Sequence, residues 1–287
     1  MKFRARLNAE NASVFHGIAA TLEKIATTAS IFLNEECIRI AVLTENPDTP
    51  RCYSELLPGE LFMDYRIESQ SGNQILFQIS MEHLARALSS SKSGISQLKL
   101  VKRGATACLC FEAKDCDSLV AGLSHDIPIK LLKPADIVYY MPPEVPPPLV
   151  ALDLPKNNKL MQVIVAKMGK ISKHVYLTAS QVGKITFRVE HATAVIKTFY
   201  TGLHPRFEGP LNADDHRNNK ASVKVDVRKL SSVLAHGNLS VERASLYLTD
   251  NAALVLNISI APQNTGTVTY YVPVILGDNM EDQDEDD

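Results

Sequence analysis

The chain has 287 residues, room for one or two domains at the usual ~100–200 residues each, and its 45% hydrophobic content is enough for each half to bury a core. It has no run of about 18 apolar residues, which excludes a membrane-spanning helix, and Met1-Lys2-Phe3-Arg4-Ala5-Arg6 lacks the apolar stretch of a signal peptide. The formal net charge of −2 is unevenly spread: residues 278–287 carry seven acids and no base, so the rest of the chain is at +5, and the acidic run reads as a disordered tail.

In chain order, the apolar spacing predicts a helix over 9–26, with Ile18, Leu22 and Ile25 at the i, i+4, i+7 positions of a core-facing stripe. Runs with strand character follow at Ser30–Leu33 and Ile38–Val42, with Glu35-Glu36 as the exposed turn between them. A second helix is predicted over 81–91, capped by Ser80 and carrying Leu84 and Leu88 on one face. His125-Asp126 reads as a turn ahead of the strand Ile127-Pro128-Ile129, whose proline suggests a sheet edge. Lys133–Pro155 includes Met141-Pro142-Pro143-Glu144-Val145-Pro146-Pro147-Pro148 and predicts a stiff, extended connector, either a spacer or a strap open to partner docking. A third helix is predicted over 156–171, then strands at Val175–Ala179 and Ile185–Val189, a polar surface loop at 209–220, a fourth helix over 227–236 capped by Asp226, and a last strand Val272-Pro273-Val274.

These elements repeat. Ile79–Leu88 aligns with Val225–Leu234 at an offset of 146, and Ile18, Leu22, Lys24 and Ile25 fall on Ile164, Met168, Lys170 and Ile171 at the same offset. The second strands match at 147 and the Ile-Pro-Ile and Val-Pro-Val runs at 145. Two helices and a terminal strand in the same order predict an internal duplication of a whole domain, a period too long for a solenoid. The implied division is 1–132, a connector at 133–155, 156–277 and the tail 278–287.

Charge separates the third helix from the others. From Lys156 to His174 there are five lysines (Lys156, Lys159, Lys167, Lys170 and Lys173) and no acid. At about 100° per residue, Leu160, Met161, Ile164, Met168 and Ile171 share one face and the lysines lie beside and behind it. Lys24, Arg86, Lys92, Arg228 and Lys229 add basic charge on the other helices. Single-sign helix faces of this kind fit an anionic partner met through its phosphates, without base readout. No aromatic residue interleaves with the bases and there is no Trp, so stacking on single strands is not indicated.

Catalytic signatures are missing: there is no P-loop, Gly-x-Gly-x-x-Gly, Gly-x-Ser-x-Gly or His-Glu-x-x-His. Asp214-Asp215-His216 lies in the polar loop with no third ligand at helical spacing. The cysteines Cys37, Cys52, Cys108, Cys110 and Cys116 match no zinc pattern and read as small buried residues in a reducing compartment. No cofactor, metal or catalytic residue is therefore expected.

Met1-Lys2-Phe3-Arg4-Ala5, His125-Asp126-Ile127-Pro128-Ile129-Lys130, Lys167-Met168-Gly169-Lys170-Ile171-Ser172-Lys173-His174 and Asp226-Val227-Arg228-Lys229-Leu230 together resemble the Hus family of checkpoint-clamp subunits, over residues 1 to about 276. That resemblance implies an α+β fold of two similar PCNA-like sliding-clamp domains, with antiparallel sheets outside and two helices of each inside. It implies a heterotrimeric ring with two Rad-type subunits around double-stranded DNA, a replication-factor-C-like loader, repair enzymes as clients, and residence in the nucleus with a cytoplasmic pool. The ten basic residues named above would face DNA, and Ile137, Val138, Tyr139, Tyr140, Met141 and Val145 of the connector would dock partners. A homotrimeric PCNA-like processivity clamp is the nearest rival; a metal-dependent nuclease is the rival of another class.

Overall fold

The computed structural model describes residues 1–276 apart from 45, 47, 92–93, 115–121, 193, 207–218 and 263–264. The chain first runs β1 (Lys2–Leu7), α1 (Ala9–Leu22), β2 (Thr28–Leu33), β3 (Ile38–Val42), β4 (Arg51–Leu56), the single-turn α2 (Pro58–Leu61), β5 (Asp64–Glu68), β6 (Ile75–Ser80), α3 (Met81–Ser89), β7 (Ile95–Arg103), β8 (Thr106–Lys114) and β9 (Leu123–Leu132). A 3-10 turn, Pro134–Tyr140, opens the proline-rich stretch. The second run is β10 (Val150–Leu154), α4 (Lys159–Met168), β11 (His174–Ser180), β12 (Lys184–His191), β13 (Ala194–Tyr200), β14 (His204–Pro205), β15 (Lys220–Asp226), α5 (Val227–Leu234), β16 (Val241–Thr249), β17 (Ala253–Ile260) and β18 (Gly266–Val272). Each strand of the second run thus has a counterpart nine strands earlier.

The pairing repeats as well. The first run pairs in the order β5-β1-β7-β8-β9-β6-β2-β3-β4; the second gives β14-β10-β16-β17-β18 and β15-β11-β12-β13, joined by a bridge from Val225 to Val274. All the named pairs are antiparallel. β18 also pairs with β4, from Gly266 opposite Leu56 to Tyr271 opposite Arg51, and this seam carries one sheet from the second half into the first. Tyr53 and Tyr271 meet edge-to-face across it, with ring centroids 5.6 Å apart. Gly266 sits at φ +153°, and a Cβ there would run into the carbonyl oxygen of Glu55, so the close approach of the two strands depends on glycine.

Local chemistry sets the helices. Asn8 Oδ1 accepts from Asn11 N at 2.7 Å and caps α1. Ser80 Oγ accepts from His83 N to cap α3, and Asp226 Oδ1 accepts from Arg228 N and Lys229 N to cap α5. Behind each cap the apolar positions turn inward: Ile18 and Leu22 on α1, Leu84 and Leu88 on α3, Leu230 and Leu234 on α5 are all buried. Each such side chain contributes about 1.5–3 kcal/mol through burial. α1 packs on α3 and α4 on α5. Lys24 Nζ, just past α1, donates to Ala235 O at the end of α5, which links the two helix pairs into one layer across the sheet.

Four expectations need correction. The connector ends before 155, because Val150–Leu154 form β10, the first strand of the second half, paired with β16. The four long helices are shorter than the spacing predicts, so Lys156, Lys170 and Lys173 flank α4 instead of riding on it. α4 buries Met161, Val165 and Met168, whereas Leu160 is 65% exposed, Ile171 is exposed and Ile164 only half-buried. Seven apolar residues within 160–168 wrap more than half of this helix, so periodicity leaves its roll open, and packing on α5 and the sheet decides it. His125 and Asp126 stand inside β9, opposite Phe111 and Cys110, and make no turn. Asp126 pairs with Arg103 at 2.7 Å, which holds its carboxyl below the usual range, and Ser90 Oγ lies 3.0 Å from His125 Nε2.

Gly17 provides a test of the helix layer. A mid-helix glycine costs about 1 kcal/mol against alanine, so propensity alone favours Gly17→Ala. The added Cβ would run into the carbonyl oxygen of Asn238, in the segment after α5. The expected outcome is a net loss of ~1–3 kcal/mol in urea unfolding, the cost of overpacking a tight contact; a gain in stability would show that α1 does not press on that segment.

Candidate nucleic-acid interface and strand edges

The basic residues fall into distinct places. Lys159 and Lys167 are exposed on α4, and Lys170 continues their side of the helix through the turn that follows. At about 100° per residue they lie within about 80° of one another and roughly opposite Met161, Val165 and Met168. The same roll that buries those three residues therefore points the lysines away from the sheet. Lys173 is exposed just before β11. Arg228 is exposed on α5 and Lys229 half-buried.

Others are already engaged. Arg86 Nη2 pairs with Glu82 Oε1 at 2.6 Å one turn back on α3, an exposed pair worth a few tenths of a kcal/mol. Lys24 donates to Ala235 O as described. Lys156 lines a hollow of about 830 Å³ at the seam, with Glu55, Asp153, His204, Glu242 and Arg243 among its neighbours, and is separate from the α4 stripe. Lys92 lies outside the described residues, as do Cys116 and Asp214-Asp215-His216. Cys37, Cys52, Cys108 and Cys110 are buried free thiols. Among the described residues no three His, Cys, Asp or Glu side chains cluster as metal ligands, and no helix is long and apolar enough to cross a membrane.

Between α4 and α5 lies a buried polar network. Asn158 Nδ2 donates to Leu234 O at 3.1 Å and lies 3.2 Å from His236 Nε2, while Gln162 Nε2 donates to Asn158 Oδ1 and to Leu234 O. These groups satisfy the carbonyl end of α5 and tie it to the start of α4. Burial, with the nearby charge of Lys24, holds the His236 imidazole below its ordinary pKa despite a contact with Val233 O.

The connector divides into two sides. The 3-10 turn packs on β2 and β6, with Ile137 and Tyr140 half-buried, whereas Val138 and Tyr139 are 72% and 77% exposed. Met141 and Val145 are also exposed; Val145 and Pro143 border a hollow of about 190 Å³ floored by Ala253, Val255, Tyr271 and Pro273.

Sequence reading missed two strand edges. Among the described residues β13, the counterpart of β4, pairs only with β12 and leaves Val195, Ile196 and Phe199 exposed. β9, the counterpart of β18, pairs with β6 only from Ile129 onward, so Leu123–Asp126 have β8 on one side and no described strand on the other. The signal lay in Ala194–Tyr200, where four of seven residues are apolar β formers, but exposure of such a strand is decided by its neighbours.

Comparison with known proteins places this arrangement. The Hus1-like protein family matches residues 1–276. The checkpoint protein hus1 homolog of Dictyostelium discoideum is 30% identical over 280 residues, covering 96% of this chain and 99% of that protein. Human checkpoint protein HUS1 is 24% identical over 284 residues, covering 96% and 100%. Proliferating cellular nuclear antigen from Entamoeba histolytica superposes with a TM-score of 0.70 at 11% identity, over 95% of this chain and 98% of that one. PCNA from Thermococcus kodakaraensis gives 0.69 at 20% identity, over 95% and 100%. The fold is that of the PCNA-like sliding clamps, antiparallel sheets with few helices, as the α+β expectation has it.

The His236 network makes stability depend on pH. A histidine whose folded pKa is depressed binds fewer protons folded than unfolded, so its stabilisation is complete above the unfolded value of about 6.5 and is lost as pH falls below it. Thermal melts from pH 7.5 down to about 5 should show a decline, and His236→Asn should remove part of that slope. An unchanged slope would mean that His236 titrates freely in the folded protein.

Proposed function

The chain belongs to the Hus1-like family, and on that premise we propose that it is a non-catalytic checkpoint-clamp subunit that closes a heterotrimeric ring around double-stranded DNA with two Rad-type partners. The observation that carries this reading is the repetition of the seam. The halves of the chain are joined by β18 pairing with β4, and their counterparts β9 and β13 present matching edges without strand partners among the described residues. A chain that repeats its join between subunits, β9 of one against β13 of the next, builds a closed ring with no edge left over. In this assignment residues 1–132 are the first clamp domain, 133–149 connect it to the second, and the second starts with β10 at Val150 and not at 156.

The helices would line the hole and the sheets form the outer shell. Lys159, Lys167, Lys170 and Lys173, with Arg228 and Lys229, then meet phosphates. Arg86 and Lys24 are less available because each already has a partner. A topologically closed ring needs only weak, sequence-blind electrostatic contacts that let it slide, so no reacting group is required. The connector's outward residues Val138, Tyr139, Met141 and Val145 would face clients such as repair enzymes. Ile137 and Tyr140 would hold the strap to the sheet. Loading by a replication-factor-C-like ATPase in the nucleus, with a cytoplasmic pool, completes the reading.

Three experiments test it. Purified alone, the chain should scatter light as a monomer, and co-expressed with both partners it should elute as a 1:1:1 complex; a trimer of this chain alone would favour the homotrimeric clamp. Val195→Asp with Phe199→Asp should abolish assembly and leave the melting temperature of the single chain unchanged. In the assembled ring, changing Lys156, Lys159, Lys167, Lys170 and Lys173 together to Ala should weaken DNA association and lower the salt slope by about 0.9 for each phosphate no longer neutralised. Lys156 should contribute least, and binding that is unchanged would refute the assignment.

A further inference from the structure

The outer faces of the two halves differ in chemistry at corresponding positions. In the first half, Ser30, Phe32 and Leu76 point away from the helices yet are buried, because the 3-10 turn that follows β9 lies on β2 and β6. β9 reaches that turn by running along β6, with Lys130 opposite Gln78 and Leu132 opposite Leu76. The apolar row Phe32, Leu76 and Leu132 of that face is thus covered by the chain that leaves β9.

The second half repeats the path. After β18, Val274 bridges to Val225 and Ile275 N donates to Lys224 O at 2.8 Å, so the chain again runs along the edge of the counterpart strand, β15. The face beside it is basic and hydroxylic. Arg188 and Lys224 flank Tyr176 in register, at 5.8 and 5.2 Å from its ring. Thr186, Thr178 and Ser222 form the next row, with Thr178 Oγ1 and Ser222 Oγ 2.9 Å apart. Lys184 stands beyond them, opposite Ser180. Arg188 pairs with Glu190, but its buried Nε has no hydrogen-bond acceptor. The residues that leave this edge, 277–287, include Asp278, Glu281, Asp282, Asp284, Glu285, Asp286 and Asp287 and lie outside the described residues.

We propose that residues 277–287 fold back onto the outer face of β15, β11 and β12 and neutralise it, taking the place that the connector takes on β6 and β2. The charges are complementary, and the positions correspond through the repeat. Reach is ample: 11 extended residues span about 36 Å, and β12 lies only two strand spacings, about 10 Å, from β15. The consequence concerns where DNA binds. Exposed cations on the outside of a ring would compete with the hole for duplex, and a tethered acidic segment removes that competition.

The test uses three full-length chains: the unaltered one, one with the seven tail acids changed to Asn or Gln, and one adding Lys184→Gln, Arg188→Gln and Lys224→Gln. A synthetic peptide of residues 277–287 is titrated onto each at low salt. The tail-neutralised chain should bind it at least ~10-fold more tightly than the unaltered chain, whose own tail holds the face at an effective concentration near the millimolar range. The combined variant should be at least ~10-fold weaker again, and salt should erase the difference. Equal affinities, or no binding to the tail-neutralised chain, overturn the proposal. Carbodiimide cross-linking of the unaltered chain needs no variant to fold: tail carboxylates should link to Lys184 or Lys224, and links only to Lys159 or Lys167, or only between copies, overturn it. Neither readout requires ring assembly, so failure here leaves the clamp reading standing.

Discussion

A strand edge carries a row of N–H and C=O groups that must find partners or face water. The β18–β4 pairing resolves that demand inside the chain. It joins the two halves without a hinge, and the close approach depends on a glycine at Gly266 and is supported by Tyr53 against Tyr271. The helices follow from it: with the sheet continuous across the seam, α1 and α5 come within reach, and Lys24 spans the gap to Ala235. The counterparts of the seam strands, β9 and β13, have no such partner among the described residues, and the proposed assembly is the same physical demand met between chains.

The sheet also keeps two chemistries apart. Side chains alternate along each strand, so Val175, Leu177 and Ala179 go to the helices while Tyr176 and Thr178 go out. The inner layer is apolar, and α4 adds lysines on its far side. The outer layer is free to vary, and it has done so: apolar under the connector in one half, basic in the other. The fold tolerates that difference because outer residues do not contribute to the shared core.

Much of the architecture was legible in the residues. Caps at Ser80 and Asp226, the spacing of Leu84 with Leu88 and of Leu230 with Leu234, and the near-constant offset all depend on local rules and survive into the structure. The site was less legible. The five lysines looked like one helix face, yet Lys156 sits at the seam and Lys170 and Lys173 lie past the helix end. The ion pair of Arg86 and the carbonyl contact of Lys24 depend on neighbours 4 and 211 residues away; the first follows from helical spacing, while nothing in the sequence marks the second.

By itself the sequence determined the repeated element order, the capped helices, the proline-rich break between the halves and the single-sign charge of one helix, because each rests on residues close along the chain. Only the tertiary structure decided the roll of α4, where Val165 is fully buried, Ile164 half-buried and Leu160 exposed, and the place of His125-Asp126 inside a strand. It alone decided which edges are paired and which are left open, because strand pairing satisfies backbone groups, which are the same in every residue, and so leaves little trace in the side chains that a sequence records.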